Sequence, residues 1–315
     1  MDQSRIGTPD SRSLSSELAD KLLDQVIPDD LPQVPASPLF DLGQLDVSWD
    51  ADLKAIWTYM TPNGRPSFNL PMLHDFDVWQ NELARLYGGD GDELRYLILG
   101  SRFPGVWNFG GDLGLFSKYI RNRDRQSLVD YGRACNNILF RNMRGLNLPI
   151  VTIGLVQGQA LGGGFEALMS FNVIVAERSA KFGLPEIAFG LFPGMGAHAL
   201  LSRRLGFAKA EQMILSGKTY SAEEMHELGL VHYLVEDGAG EAGVRDYIRQ
   251  NSRRHAGNHA VFKASREVWP VSLEELNAIV EIWADTALKL EESDLRLMER
   301  LVRAQSKLSA RISPD

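Results

Sequence analysis

The chain has 315 residues, of which 44% are hydrophobic and 23% charged, and its formal net charge is −8. This acidic balance argues against non-specific nucleic-acid binding, which needs a cationic surface, and no apolar run approaches the roughly 20 residues of a membrane span. A single cysteine excludes an intrachain disulfide framework, and the polar N-terminus lacks the apolar segment of a secretory signal, so we expect a cytoplasmic protein.

The first part of the chain is predicted to be an extension. Residues 1–42 are rich in Ser, Asp and Pro, and the prolines of IPDDLPQVPASP are incompatible with a helix. The segment LADKLLDQVI has amphipathic spacing, and we expect it to dock on the body of the protein.

From about residue 43 the pattern predicts alternating strands and helices. The segments LKAIWTYM, LRYLILG, LPIVTIGLV and FNVIVAE are predicted strands, and helices are predicted over 73–87 and 124–145. SRFPGVWNFGGDLG is predicted to be a glycine-rich loop. After about residue 197 we expect mostly helices, one short strand near 230–235, and one long amphipathic helix from about 272. Strands separated by helices favour a parallel sheet, so the predicted fold class is α/β.

Two glycine-rich turns each follow a predicted buried strand, NFGGDLG at 108–114 and GQALGGG at 158–164. Neither has the spacing of a dinucleotide-binding or P-loop motif. Glycines let a ligand approach the backbone closely, and two free N–H groups can hold a thioester oxygen as it becomes an enolate. The turns therefore predict an oxyanion site.

Glu166 and Glu186 both lie in apolar surroundings, in GGGFEALMS and GLPEIAFG. Apolar burial raises the pKa of a carboxyl group toward neutrality, which general acid–base catalysis requires. Taken singly, either glutamate has the plainer interpretation of a helix-capping residue. The histidines show no metal-ligand spacing, so we expect neither a metal nor a cofactor.

GQALGGGFE followed by GLPEIAFGLFPGMGA resembles the crotonase (enoyl-CoA hydratase/isomerase) superfamily. FGGDLGLFSKYI, EIWADTALKL and RLVRAQSK are most similar to the diffusible signal factor synthases of that superfamily. The resemblance implies a crotonase-like spiral of ββα units with a C-terminal helical region. The corresponding predicted segments are 1–42 (extension), 43–235 (spiral core) and 236–315 (helical region). It also implies that Glu166 and Glu186 are the catalytic acids and that Gly111 and Gly163 form the oxyanion hole.

The implied reaction is synthesis of a cis-2-unsaturated fatty acid signal for quorum sensing. A 3-hydroxyacyl thioester on acyl carrier protein would lose water, and hydrolysis of the thioester would release the free acid. The departure of YMTPNGRPSFN from the pattern of CoA-using hydratases is compatible with a carrier-protein substrate. The alternatives are a conventional enoyl-CoA hydratase acting on acyl-CoA, and a regulatory binding module that a sensor kinase sequesters. Homo-oligomers, trimers or hexamers, are implied by the family.

The acyl chain needs an apolar pocket, because each buried CH₂ is worth about 0.8 kcal/mol. Candidate pocket residues are Leu191, Phe192, Met195 and Trp283. Docking of an acidic carrier needs cations, for which the candidates are Lys118, Arg121, Arg123, Arg125, Arg203, Arg204 and Lys209. Core packing and a solvated helix face are the respective plainer interpretations of these two sets.

Overall fold

A computed structural model describes residues 37–89 and 93–312. Most of the predicted N-terminal extension, including LADKLLDQVI, lies outside these residues. The predicted division of the remaining chain at 235 stays a prediction.

The larger sheet has six strands in the order β1-β2-β3-β5-β7-β10. Its strands are β1 (Leu45–Asp50), β2 (Ala55–Met60), β3 (Tyr96–Ser101), β5 (Val151–Val156), β7 (Val173–Glu177) and β10 (Tyr233–Val235). All neighbours are parallel except β1 and β2. The central strands are buried on both faces, which is why they are continuous apolar runs rather than alternating ones.

A second, four-stranded sheet has the order β4-β6-β8-β9. Its strands are β4 (Gly105–Asn108), β6 (Gly158–Leu161), β8 (Lys181–Gly183) and β9 (Thr219–Ser221). Each turn of the chain gives one strand to the large sheet and the next to the small one, as in β3–β4, β5–β6 and β7–β8. This repetition is the predicted crotonase spiral, and the α/β fold class is confirmed.

Helices surround the two sheets. They are α1 (Leu70–Tyr87), α2 (Leu113–Arg121), α3 (Arg125–Met143), α4 (Gly163–Leu168), α5 (Ala197–Leu205), α6 (Phe207–Ser216), α7 (Ala222–Glu227), α8 (Gly240–Asn251), α9 (His255–Val268), α10 (Leu273–Ala287) and α11 (Glu292–Ile312). A 3-10 helix, Pro185–Phe189, carries Glu186. In the part of the chain that the structure describes, no helix is both long and apolar enough to cross a bilayer.

Several predicted elements differ from the structure. The segment predicted as a glycine-rich loop contains β4 and the start of α2, and the single long helix predicted from 272 is two helices, α10 and α11. β4, β6 and β8 have only three or four residues each, too few to show a period of two in a glycine-rich sequence. β1 was not predicted, although LDVSWD alternates apolar and polar residues. Only Leu45 of this strand is buried.

Candidate active site

One cavity of about 600 Å³ brings together every residue that the sequence analysis assigned to the site. Lining it are Gly111, Gly163, Glu166, Glu186, Leu191, Phe192, Met195 and Trp283. These residues are spread over more than half of the chain, so the spiral is what assembles them. We call Gly111, Gly163, Glu166 and Glu186 the polar wall.

Glu166 is fixed in place by backbone groups. It lies on α4, is 1% exposed, and its Oε1 accepts hydrogen bonds from the N–H groups of Met195 (2.7 Å) and Ala197 (2.9 Å). The Met195 N–H lies in the turn before α5 and the Ala197 N–H at the first residue of α5, and Gly196 between them has a positive φ of 110°. Burial raises the pKa of Glu166 to about 7, although the two donated hydrogen bonds oppose the shift.

The carboxyl group of Glu186 has fewer hydrogen-bond partners than that of Glu166. Its Oε2 is buried and has no hydrogen-bond partner among the described residues. Its Oε1 faces Gly162, where an ideal Cβ would lie only 2.7 Å away, so a side chain at 162 would displace the carboxyl group. Burial, followed by the negative charge of Glu166, raises the pKa of Glu186 to about 8.

The two carboxyl groups therefore titrate together. Because each charge raises the cost of the other, the two proton losses belong to the pair rather than to either residue. Because the negative charge of one carboxylate disfavours ionisation of the other, loss of both protons is costly, and a singly protonated pair supplies one carboxylate and one carboxylic acid in the same cavity. That combination suits a reaction in which one proton is removed and another is delivered.

The two glycine-rich turns lie against each other. An ideal Cβ on Gly163 would be 3.2 Å from Gly110 Cα and 3.4 Å from Gly111 N, and one on Gly110 would be 2.4 Å from Gly163 N. Among the described residues, the N–H groups of Gly111 and Gly163 have no hydrogen-bond acceptor. Two unpaired donors thus border the cavity side by side, as the oxyanion-hole prediction requires, and that role stays a prediction.

Another part of the cavity lining is helical and mostly apolar. Trp283 on α10 packs edge-on against Phe116, and α11 contributes Leu301, Ala304 and Leu308. We call Trp283, Leu301, Ala304 and Leu308 the helical wall. Only Trp283 of these was predicted from the sequence, because an amphipathic helix shows which face is apolar but not which cavity that face covers.

Most of the predicted carrier-docking cations are engaged within the chain. Ion pairs join Arg121 to Glu292 and Glu299, Arg125 to Glu281 and Asp285, and Arg203 to Glu275. Arg123 and Arg204 donate to backbone carbonyls, and Lys209 to Gln212. In the described ranges Lys118 makes no ion pair, and neither do Arg303 and Lys307 on α11, which the sequence analysis did not consider.

The other chemistry-bearing residues contribute little to the cavity. The described residues contain no group of three or more His, Cys, Asp or Glu side chains arranged to hold a metal ion. Cys135 is buried, and burial raises the pKa of its thiol, so it is protonated at neutral pH.

A protein-family model described as "Enoyl-CoA hydratase/isomerase" matches residues 83–268. The chain belongs to this family. The predicted crotonase membership is therefore confirmed, and the match contains Gly111, Gly163, Glu166 and Glu186.

Named relatives share only part of the chain. Rattus norvegicus methylglutaconyl-CoA hydratase is 33% identical over 154 residues, which are 49% of this chain and 47% of the relative. Clostridium acetobutylicum short-chain-enoyl-CoA hydratase is 34% identical over 155 residues, 49% of this chain and 55% of the relative. The chain thus matches about half the length of these relatives.

Solved structures share the fold more completely. Enoyl-CoA hydratase from Bacillus halodurans superposes with a TM-score of 0.67 at 19% identity, covering 82% of this chain and 100% of that one. Pseudomonas aeruginosa DspI gives a TM-score of 0.62 at 20% identity, covering 83% and 95%. At these identities the likeness concerns the fold alone.

Proposed function

We propose that the protein dehydrates a 3-hydroxyacyl thioester carried by acyl carrier protein and then hydrolyses the product to a free cis-2-unsaturated fatty acid. The observation that carries the proposal is the polar wall, in which two buried glutamate carboxyl groups and two unpaired N–H groups border one cavity. Gly111 and Gly163 would form the oxyanion hole, and Glu166 and Glu186 would move the protons.

In the dehydration the carboxylate of the pair removes the α proton of the thioester. The electrons move onto the thioester oxygen, where the two N–H groups stabilise the enolate, each by roughly 3–4 kcal/mol. The carboxylic acid of the pair protonates the 3-hydroxyl group, which leaves as water while the double bond forms. One proton is gained and one is lost, so the pair again holds a single proton.

That singly protonated pair is the state needed for hydrolysis. The carboxylate takes a proton from a water molecule as the water oxygen attacks the thioester carbonyl, and the same N–H groups hold the resulting oxyanion. When the tetrahedral intermediate collapses, the acid of the pair protonates the departing thiolate. The products are a free acid and the carrier thiol.

Two features support the acyl and carrier parts of the proposal. The cavity volume of about 600 Å³ and its apolar lining, with Leu191, Phe192, Met195 and the helical wall, suit a fatty acyl chain. On α11, Lys307 lines this cavity, and Arg303 lines a neighbouring groove together with Lys118. In a chain with net charge −8, these cations favour an acidic carrier locally.

The names of the relatives favour a second candidate, reversible hydration of an enoyl-CoA without release of free acid. The polar wall suits both reactions, so the carrier and the product must separate them. Mass spectrometry of the full chain incubated with 3-hydroxyacyl–acyl carrier protein makes the distinction. We expect a free enoic acid, 18 mass units lighter than the 3-hydroxy acid, since one water is lost.

An enoyl product that stays on its carrier, together with turnover of enoyl-CoA, would establish the hydratase instead. The double variant Glu166→Gln, Glu186→Gln is the control, and it should release neither product. Free acid formed by this double variant would contradict the two-glutamate mechanism.

A further inference from the structure

The loop that carries Gly111 is held by hydrogen bonds on both sides of that residue. The Phe109 N–H donates to Pro66 O (2.8 Å), and the Gly110 N–H donates to Asn108 Oδ1 (2.6 Å). The Asp112 N–H donates to the hydroxyl oxygen of Tyr131 at 3.3 Å. The backbone N–H groups of residues 109, 110 and 112 thus each have a hydrogen-bond acceptor. Between residues 109 and 112, only the Gly111 N–H has no acceptor among the described residues.

Tyr131 makes its contact from a distant element. It lies on α3, and its hydroxyl also donates a hydrogen bond to the carbonyl of Phe68, 63 residues away. Phe68 in turn donates its N–H to Gly110 O (2.8 Å) and forms a bridge with Gly111. One hydroxyl group therefore joins the segment before α1 to the residue that follows Gly111.

The surroundings hold this hydroxyl in one position. The Tyr131 ring packs edge-on against Phe116, with centroids 4.9 Å apart, and Phe116 lies so close to Gly111 that an ideal Cβ there would be 2.5 Å from its ring. Tyr131 is 3% exposed, and burial raises the pKa of its hydroxyl well above the usual value. It stays a neutral donor, and its donor and one acceptor position are used by the backbone.

We infer that Tyr131 is a positioning residue, whose hydroxyl fixes the Gly111 loop so that the Gly111 N–H points unpaired into the cavity. The inference rests on the proposed oxyanion role of Gly111. Tyr131 lines the cavity, but its hydroxyl acts on the backbone rather than on the substrate. A displacement of about 1 Å in a catalytic group can cost on the order of 100-fold in rate, so this kind of support matters.

The test is Tyr131→Phe, which keeps the ring and removes both hydrogen bonds. We expect kcat to fall about 10- to 100-fold with KM within about twofold, because the loop still binds substrate but no longer holds the enolate equally well. The matched control is Tyr96→Phe. Tyr96 is also buried, its hydroxyl has no partner among the described residues, and it lies outside the cavity, so its kcat should not change.

A second measurement does not depend on turnover. The infrared carbonyl frequency of a bound 2-enoyl thioester, labelled with ¹³C at the carbonyl, reports donation by the oxyanion hole. We expect the wild-type protein to lower this frequency relative to the free thioester, and Tyr131→Phe to reverse part of that shift. Should Tyr131→Phe fail to fold by circular dichroism, Asn108→Ala loosens the same loop from its other side and should give the same reversal.

The outcomes separate the inference from the proposed function. An active wild-type protein with an unchanged kcat and carbonyl frequency in Tyr131→Phe would overturn the role of Tyr131. An unchanged carbonyl frequency in Asn108→Ala, where that variant is needed, would contradict the premise that hydrogen bonds to this loop set the donation by Gly111, and the inference would fall with it. A wild-type protein that releases no free acid, yet shows a carbonyl shift that Tyr131→Phe reverses, would refute the synthase function and support the inference.

Discussion

The polar wall and the helical wall face the same cavity but are held in different ways. Glu166 is fixed by two backbone N–H groups, and Gly111 lies in a loop whose neighbouring N–H groups are all satisfied. The helical wall presents side chains, and its Leu301 is 36% exposed. Hydrogen-bonded backbone gives the precision that proton transfer needs, whereas side chains on a surface helix can vary in size with little effect on the reacting groups. We therefore expect changes in the polar wall to abolish the reaction and changes in the helical wall to alter which substrate is accepted.

The largest effect should come from the carboxyl groups. Glu166→Gln and Glu186→Gln should each lower kcat about 10³- to 10⁴-fold, because each removes one proton-transfer group. Single-turnover assays with the same thioester measure the chemical step directly. Glu177→Gln is the matched control, since Glu177 is a buried glutamate outside the cavity, bonded to Gln157 and the Gly240 N–H. A full rate in either cavity variant would remove that glutamate from the mechanism.

The next effect concerns the contact between the two glycine turns. Gly110→Ala would place a Cβ 2.4 Å from Gly163 N and should lower kcat about 10²- to 10³-fold by separating the two donors. Gly105→Ala provides the control, because Gly105 also has a positive φ (72°) but no atom within 4 Å of the added Cβ. Steady-state kinetics of both variants then separate backbone strain from loss of the donor pair. Equal kcat values for Gly110→Ala and Gly105→Ala would contradict the prediction that catalysis depends on the contact between Gly110 and Gly163.

A smaller effect should appear in stability, with a defined pH dependence. The pKa of Glu186 is about 8 in the folded protein and near 4.5 when unfolded, so between these values the folded state binds more protons. The free energy of unfolding of the wild-type protein should therefore fall as pH rises from about 5 to about 8. Glu186→Gln avoids the buried charge and should be more stable by about 1–3 kcal/mol above pH 8, with no such gain near pH 4.5.

Urea unfolding at pH 5 and pH 8.5 measures this difference. Glu186→Gln would then combine lost activity with raised stability, the signature of a group kept for function. If the difference in the free energy of unfolding between Glu186→Gln and the wild-type protein is the same at pH 5 and at pH 8.5, the Glu186 carboxyl group is not desolvated in solution.

The smallest effect should come from the helical wall. Leu301→Trp fills space beside the acyl chain and should lower kcat/KM by about fourfold for each methylene that no longer fits, given about 0.8 kcal/mol per buried CH₂. The kcat for short acyl chains should stay unchanged. A series of 3-hydroxyacyl thioesters of increasing length checks this, with Leu215→Trp as control, because Leu215 is exposed on α6 away from the cavity. A uniform loss at every length would place Leu301 in the catalytic function instead.

The sequence by itself determined the chemistry-bearing residues and most strands of the main sheet. Buried strands such as β3 and β5 are continuous apolar runs, and the motifs around Glu166 and Glu186 identified the family. These signals are local, so a single stretch of chain carries them. The glycine turns are also visible in the sequence. Only the structure shows that the close approach of Gly162 to Glu186 and of Gly163 to Gly110 leaves no room for a Cβ.

The tertiary structure alone decided how these residues act together. The small sheet that supports both glycine turns is made of strands too short to show a pattern, and the placement of α11 over the cavity depends on packing between distant segments. Arg121 and Arg125 of the SKYIRNRDR segment look free in sequence, but they form ion pairs with acidic residues of α10 and α11. Tyr131 is the clearest example of what the sequence does not show. Its hydrogen-bond partners Phe68 and Asp112 lie 63 and 19 residues away. The periodicity of a helix indicates which of its faces is buried, but not which residues that face contacts.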